Sequence, residues 1–162
     1  MAGFIKEAAR TLGYDSLKPE QEKVISSFLE GKDVFVSLPT GFGKSLCYAI
    51  LPLAFDLKRF GSIEAKRSVV IVVSPLLALM KDQVASYSAK GLSVGSVTHE
   101  ITLEERSRVR QGKFQVLFFS PEALCKRQWF DQLQLEPYCS NIVAFVVDEA
   151  HCIIKWYEYS YY

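Results

Sequence analysis

The chain has 162 residues, of which 49% are apolar and 23% are charged, and its formal net charge is +1. This composition indicates one globular domain and excludes a largely disordered chain or one that attracts nucleic acid through its overall charge. The four cysteines form no Cys-x-x-Cys pair, so we expect buried free thiols rather than a zinc site or a disulfide framework. No window is apolar enough for a signal peptide or a membrane span, so we expect an intracellular protein with no membrane partner.

The first part of the chain predicts two helices. Apolar residues at helical spacing indicate an amphipathic helix over residues 4–12, which Gly13 can end. Pro19 suits the first turn of a second helix that runs to about Leu29. Near its start, Gln21 carries both a donor and an acceptor, the pair that is needed to read an adenine edge. A solvated helix residue is the alternative interpretation of Gln21.

A strand, a glycine turn and a helix start follow in order. Residues 33–38 are a β-branched and aromatic run that predicts a buried strand, and residues 46–57 predict a helix. The loop between them reads Pro39-Thr40-Gly41-Phe42-Gly43-Lys44-Ser45. The first N–H groups of a helix lack partners and its dipole is positive there, so this turn is suited to a polyanion such as a nucleotide phosphate.

Several residues of this loop have properties that suit phosphate binding. Gly41 and Gly43 let the backbone close around phosphate oxygens, and Lys44 supplies a positive charge for the outer phosphates. The hydroxyl of Ser45 is suited to a Mg²⁺ ligand. Leu38 stands where the common phosphate-loop pattern has glycine, and an ordinary glycine turn closed by an exposed lysine is the alternative.

Three more buried strands are predicted, at residues 68–73, 116–120 and 142–147, and a shorter one at 93–97. Two of them end in Ser-Pro corners, Ser74-Pro75 and Ser120-Pro121, which we expect at the edge where open α/β sheets bind ligands. A helix after the first corner carries Lys81 and Gln83 on its polar side. Thr102 and Glu105 form a capping box that begins a charged helix.

The last predicted strand runs into Asp148-Glu149-Ala150-His151. Neighbouring residues on a strand point to opposite faces, so one carboxylate can hold Mg²⁺ while the other orients water. An acidic turn is the alternative, and the presence of Lys44 and Ser45 at another strand end argues against it.

These segments together resemble the first RecA-like lobe of RecQ-type DNA helicases of superfamily 2, over roughly residues 10–156. The segments that carry the resemblance are Leu12-Gly13-Tyr14 with Lys18 and Gln21 (motif 0), residues 39–45 (motif I), 73–83 (motif Ia), 120–122 (motif Ib) and 148–153 (motif II). Lys18 stands where that family more often has arginine, and after Ile153 only Trp156 is kept from the family's aromatic-rich loop.

The resemblance implies a three-layer α/β P-loop NTPase fold with a mostly parallel sheet. It implies a lobe of a 3′-to-5′ DNA helicase that binds ATP, Mg²⁺ and single-stranded DNA and works with a second RecA-like lobe, in the nucleus by resemblance and otherwise in the cytoplasm. The implied catalytic residues are Lys44, Asp148, Glu149 and His151, and the implied metal ligands are Ser45 and Asp148. The implied nucleotide contacts are Tyr14, Lys18, Gln21 and residues Thr40, Gly41, Phe42, Gly43, Lys44 and Ser45. The implied nucleic-acid contacts are Ser74, Pro75, Lys81, Gln83, Ser120, Pro121 and Trp156.

Residues 1–156 are expected to form the ATP-binding domain, with an aromatic tail at 157–162 outside its core. Because the resemblance covers one lobe, unwinding is not expected of the chain alone and hydrolysis should be slow or absent. Two alternatives stay open: a binding module for nucleotide or nucleic acid without turnover, and a P-loop NTPase that acts on a target other than DNA.

Overall fold

The computed structural model describes residues 2–152, which form an α/β domain. The helices within these residues are α1 (Ala2–Thr11), α2 (Pro19–Leu29), α3 (Lys44–Phe60), α4 (Leu77–Ser88), α5 (Leu103–Arg110), α6 (Pro121–Leu124), α7 (Arg127–Leu133) and α8 (Tyr138–Asn141), with a short 3₁₀ helix at Ile63–Ala65. The strands are β1 (Val69–Val73), β2 (Val94–Val97), β3 (Val116–Phe119) and β4 (Ile142–Val147).

The four strands form one sheet in the order β2-β3-β1-β4, and every pairing in it is parallel. The central strand β1 pairs Ile71 with Leu117 of β3 on one side and with Phe145 of β4 on the other. A parallel sheet needs helical crossovers that cover its faces, which explains the unbroken apolar runs of β1 and β3. The prediction of an α/β fold with a parallel sheet is confirmed.

Alternate residues of the central strands enter two separate cores. Val70, Val72 and Phe118 pack in a core with residues of α1, α2, α3 and α4. Ile71, Leu117 and their neighbours pack on the opposite face in a second core with residues of α5, α6, α7 and α8. Because successive side chains of a strand point to opposite faces, this division gives three layers, helices on both sides of the sheet.

The strand β4 is less covered than its neighbours. Phe145 shares a face with its register partner Ile71, yet Phe145 is 59% exposed while Ile71 is fully buried. Val147 on the same face is also exposed. The second core therefore covers β1 and β3 and leaves most of that face of β4 open among the described residues.

The prediction of a strand at residues 33–38 is wrong. The structure gives residues 32–39 no regular secondary structure, and Phe35 is 86% exposed. A strand needs a hydrogen-bonded neighbour as well as strand-forming residues, and within residues 2–152 the sheet ends at β4, which pairs only with β1. The run of β-branched residues lacks such a ladder here, so its composition alone does not make it a strand.

The cysteines also differ from expectation, because only Cys47 is buried. Cys125 and Cys139 are exposed and Cys152 is intermediate, although all four are free thiols as expected. Cys125 is the C-cap of α6 and Cys139 lies within α8, and both side chains face the surface. Among the described residues, no helix combines the length and the apolar character needed to cross a membrane.

Candidate functional site

The loop at residues 39–43 forms a tight turn at the start of α3. The backbone N–H of Phe42 donates to the carbonyl of Pro39 at 3.2 Å, and Gly43 is the N-cap of α3. Gly41 and Gly43 have φ angles of 79° and 88°, in the left-handed region that favours glycine. The turn therefore presents free backbone N–H groups of a 17-residue helix at its surface.

The helix α2 holds this loop through a buried glutamine. Nε2 of Gln21 donates to the carbonyls of Phe42 at 3.2 Å and Gly43 at 3.1 Å, while its Oε1 accepts from the backbone N–H of Lys18 at 3.0 Å. A Cβ on Gly43 would lie 2.8 Å from Nε2 of Gln21, so a larger residue here would displace the Gln21 amide. Gln21 is neither a solvated helix residue nor free: its amide is occupied in positioning the loop.

Lys18 contacts the same loop from outside. Its Nζ donates to the carbonyl of Phe42 at 3.2 Å and lies 4.1 Å from the centre of the Phe42 ring. A cation over an aromatic face is attracted to the ring, so this contact orders the tip of the loop. Lys18 and Gln21 thus both support the loop, which the motif spacing did not predict.

Lys44 lies folded into the loop that precedes it. Its Nζ donates to the carbonyl of Leu38 at 2.8 Å and to that of Pro39 at 3.3 Å. The ammonium group is therefore held at the start of α3, where an anion is favoured. The next residue, Ser45, accepts a hydrogen bond from the hydroxyl of Tyr87 in α4 at 3.1 Å.

The acidic segment follows β4 at the same edge of the sheet. The backbone N–H of Asp148 donates to the carbonyl of Val73 at 2.9 Å, and that of Glu149 donates to Oδ1 of Asp148 at 3.1 Å. Burial raises the pKa of Asp148 and so does the Glu149 carboxylate, whereas the Glu149 N–H and the charge of Lys44 lower it. The charge of Lys44 thus reaches Asp148, which places the two groups in the same neighbourhood.

Glu149 and His151 do not continue the strand. Glu149 has a φ of 52°, unusual for a residue other than glycine, and β4 ends at Val147. The turn brings Nδ1 of the exposed His151 to 3.3 Å from Oε2 of Glu149. Asp148 and Glu149 therefore lie in a turn, and the expected alternation of side chains along a strand does not apply to them.

Both Ser-Pro corners lie at the carboxyl ends of strands, as predicted. The N–H of Ser74 donates to the carbonyl of Phe119, and the N–H of Ser120 donates to that of Val97. With Asp148 beside Val73, the ends of all four strands are aligned along one edge. This is the edge at which open parallel sheets bind ligands.

The side chains proposed for nucleic acid differ in accessibility. Lys81 is exposed, and Pro75 and Pro121 are partly exposed. Ser74 is buried, and Oγ of the buried Ser120 caps α6 by accepting from the N–H of Ala123. Gln83 accepts a hydrogen bond from the hydroxyl of Tyr48 at 2.8 Å. Trp156 lies outside the described residues.

A cleft of ≈ 420 Å³ opens beside the loop. Its lining includes the predicted Tyr14, Lys18, Gln21, Phe42, Gly43 and Ser45. It also includes Ser16, Leu17, Leu46 and Tyr87, which sequence reasoning missed. Tyr87 lies one helical turn after Gln83, so helical spacing places the two on one face of α4, but nothing local shows that this face meets α3.

The donors of this site suit Mg²⁺ and a nucleotide phosphate. Mg²⁺ prefers hard oxygen ligands, which the Ser45 hydroxyl and the Asp148 carboxylate supply. The left-handed glycines, the start of α3 and Lys44 suit the phosphates.

Comparison with known proteins agrees with this geometry. Residues 18–162 match the family model described as DEAD/DEAH box helicase. The chain belongs to the DEAD/DEAH box helicase family. It is therefore a helicase domain by family, and the loop at residues 39–45 (the phosphate loop) and the Asp148-Glu149 segment (the acidic corner) are compatible with this membership.

Among curated proteins, this helicase domain is similar to RecQ-family enzymes. It is 38% identical to the ATP-dependent DNA helicase RecQ of Haemophilus influenzae, over 89% of the chain and 22% of that protein. It is 36% identical to the ATP-dependent DNA helicase Q5 of Rattus norvegicus, over 91% of the chain and 15% of that protein. The chain thus spans less than a quarter of either relative's length, and since one is bacterial and the other mammalian, the similarity assigns no cellular compartment.

Solved structures confirm the fold. A hypothetical ATP-dependent RNA helicase from Sulfolobus tokodaii superposes with a TM-score of 0.64 at 22% identity, covering 96% of this chain and 44% of that one. The helicase MrfA superposes with a TM-score of 0.68 at 21% identity, covering 92% of this chain and 23% of that one. At such identity the likeness supports a RecA-like fold and no particular substrate.

Proposed function

We propose that residues 1–156 form the ATP-binding lobe of a RecQ-like 3′-to-5′ DNA helicase, which binds ATP with Mg²⁺ and single-stranded DNA. The observation that carries the proposal is the turn at Gly41 and Gly43, which begins α3, together with Asp148, whose N–H is bonded to Val73 at the end of β1. A phosphate-binding loop and an acidic corner on one sheet edge are the two halves of a nucleotide site. The aromatic tail at 157–162, expected outside the core of this domain, falls outside the described residues.

The loop residues would bind the phosphates. Free N–H groups at the start of α3 would donate to phosphate oxygens, and Lys44 would exchange the carbonyls of Leu38 and Pro39 for them. Ser45 and Asp148 would hold Mg²⁺, which when bound neutralises charge on the phosphates. Glu149 would orient the attacking water, and His151, beside it, would link the site to DNA.

The cleft beside the loop would take the base. Tyr14, Lys18 and Gln21 line it, with Thr40 and Phe42 at the loop. Because both protons of the Gln21 amide already donate to the loop carbonyls, an adenine contact would require Gln21 to release at least one of them. Base binding would then change the hydrogen bonds between Gln21 and the phosphate loop.

The two Ser-Pro corners would contact single-stranded DNA beside this site. Pro75, Lys81 and Pro121 are accessible for such contacts. Ser74 and Ser120 are buried, so they would contribute through their backbone and through the shape of the corners. Gln83 would have to leave Tyr48 to reach DNA, and Trp156 completes the set by resemblance.

Hydrolysis by the chain alone should be slow. A second RecA-like lobe would supply the arginine that stabilises the transition state, a contribution of roughly 10³ to 10⁵ in rate. The lobe would then bind nucleotide without unwinding DNA.

Titration with a fluorescent ATP analogue in the presence of Mg²⁺ tests the nucleotide site. Lys44→Ala should remove most of the affinity because it deletes the phosphate-facing charge. Lys32→Ala is the matched control, since Lys32 is exposed and pairs with Glu30 at 2.7 Å, outside the loop. Equal affinity of the wild type and Lys44→Ala would show that the loop is only a turn.

A separate titration with labelled single-stranded DNA tests the corners. Lys81→Ala should weaken binding and reduce its salt dependence, since each phosphate contact releases a counterion. Lys6→Ala on the exposed face of α1 is the control. If both variants behave alike, the corner after β1 does not bind DNA.

A further inference from the structure

Two tyrosine hydroxyls join α3 to α4. Tyr87 donates to Oγ of Ser45 at 3.1 Å, and Tyr48 donates to Oε1 of Gln83 at 2.8 Å. Ser45 and Tyr48 lie three residues apart in α3, and Gln83 and Tyr87 lie four apart in α4, so each pair occupies one helix face. Ser45, the earlier residue in α3, bonds to Tyr87, the later residue in α4, and Tyr48 bonds to Gln83. These two hydrogen bonds, called the two ties below, connect the helices side by side.

The tie from Tyr87 reaches the hydroxyl that the nucleotide site needs. Serine has one O–H donor and two lone pairs, and the Tyr87 hydroxyl occupies one lone pair. The second lone pair stays available for a metal ion and the proton for another acceptor. Because a serine side chain can take three staggered rotamers, a fixed donor at 3.1 Å selects one of them.

Tyr87 is held in place by its packing. Its side chain is buried in the core that residues of α3 and α4 share. Tyr87 also lines the cleft together with Gly43 and Ser45, so it belongs to the wall of the site.

We infer that Tyr87 is a positioning residue, which holds the Ser45 hydroxyl in the orientation that binds the Mg²⁺ of the bound nucleotide. This role rests on the proposed nucleotide function. Tyr87 acts through its hydrogen bond to Ser45 and does not itself bind the metal. It also makes the metal ligand dependent on α4, the helix that follows the Ser74-Pro75 corner.

The two ties supply a matched pair of variants. Tyr87→Phe deletes the hydroxyl that meets Ser45, and Tyr48→Phe deletes the hydroxyl that meets Gln83, while both keep the ring. The binding of a fluorescent, non-hydrolysable ATP analogue is titrated with Mg²⁺, and again with metal chelated. Loss of one neutral hydrogen bond corresponds to about a 2- to 10-fold change in an equilibrium constant.

Tyr87→Phe should raise the Mg²⁺ concentration for half-maximal binding by about 2- to 10-fold and leave the metal-free affinity unchanged. Tyr48→Phe should leave both unchanged. In a Ser45→Ala background, Tyr87→Phe should have no further effect, because the two residues act as one unit. Melting curves of all variants serve as the control that each protein is folded.

The role of Tyr87 is overturned if its variant has the wild-type Mg²⁺ requirement, if Tyr48→Phe shifts it equally, or if the shift persists without the Ser45 hydroxyl. Each of these results leaves the proposed nucleotide function standing. A wild-type protein whose affinity is the same with and without Mg²⁺ would instead remove the proposed metal site and the role of Tyr87 with it.

Discussion

The phosphate loop before α3 and the acidic corner after β4 are held in different ways. Side chains from two other helices bond to the loop region, Gln21 from α2 and Tyr87 from α4. The acidic corner is held mainly by backbone bonds, such as that from Asp148 to Val73, and β4 beneath it exposes Phe145. Substitutions around the loop should therefore disturb folding and binding together, whereas those at the corner should separate the two.

Among substitutions around the loop, the largest effect on folding is expected at Gly43. Gly43→Ala imposes a left-handed φ of 88° on alanine and also places a Cβ 2.8 Å from the Gln21 amide. The free energy of unfolding should fall by about 1 to 3 kcal/mol from backbone strain alone, with a further loss as Gln21 is displaced. Denaturant unfolding measures it.

Gly41→Ala is the matched control for this effect. Gly41 has a similar φ of 79° but no atom within 4 Å of the position of a Cβ. It should show the strain without the steric clash. Equal destabilisation of the two variants would contradict a close contact between α2 and the loop.

Gln21→Ala tests the same support from the other side. It removes the donor to two loop carbonyls, so the free energy of unfolding should fall by about 1 to 3 kcal/mol. Amide exchange of Phe42, whose N–H donates to Pro39, should also become faster. Glu20→Ala, an exposed residue of the same helix, should change stability by less than about 0.5 kcal/mol. Unchanged exchange in Gln21→Ala would mean that the loop holds its own shape.

The smallest effect on folding is expected at the open strand. Phe145→Ala removes a ring that is already 59% exposed, so it should cost less than about 1 kcal/mol. Ile71→Ala, at its register partner, should cost about 2 to 5 kcal/mol because Ile71 is fully buried. Thermal unfolding compares them, and a large cost at Phe145 would show that this face of β4 is covered.

Much of this architecture could be predicted from local patterns. Pro19 and the apolar spacing after it place α2 at the observed bounds, and the continuous run at 142–147 matches β4. The order of these elements also placed Asp148 at the edge where β1 ends, because parallel strands share their carboxyl ends. The same argument for Lys44 relied on a strand at 33–38, which the structure lacks.

The rest depends on contacts between distant residues. The run at 33–38 has strand composition and no ladder, which local propensity does not reveal. The bond from Tyr87 to Ser45 spans 42 positions and depends on how α4 packs against α3. Likewise, the amide chemistry and the resemblance that marked Gln21 as a base contact do not show that its amide is already bonded to the loop.

The most direct test of a shared metal and phosphate site compares Asp148→Asn with the wild type in calorimetric titrations of ATP, each with and without Mg²⁺. The wild type should bind more tightly with Mg²⁺. Asp148→Asn should keep the metal-free affinity, because Lys44 and the loop are intact, and lose most of the gain from Mg²⁺. Asp82→Asn, an exposed carboxylate on α4, should keep the full gain. A full Mg²⁺ gain in Asp148→Asn would contradict the claim that the loop and the acidic corner bind one ligand.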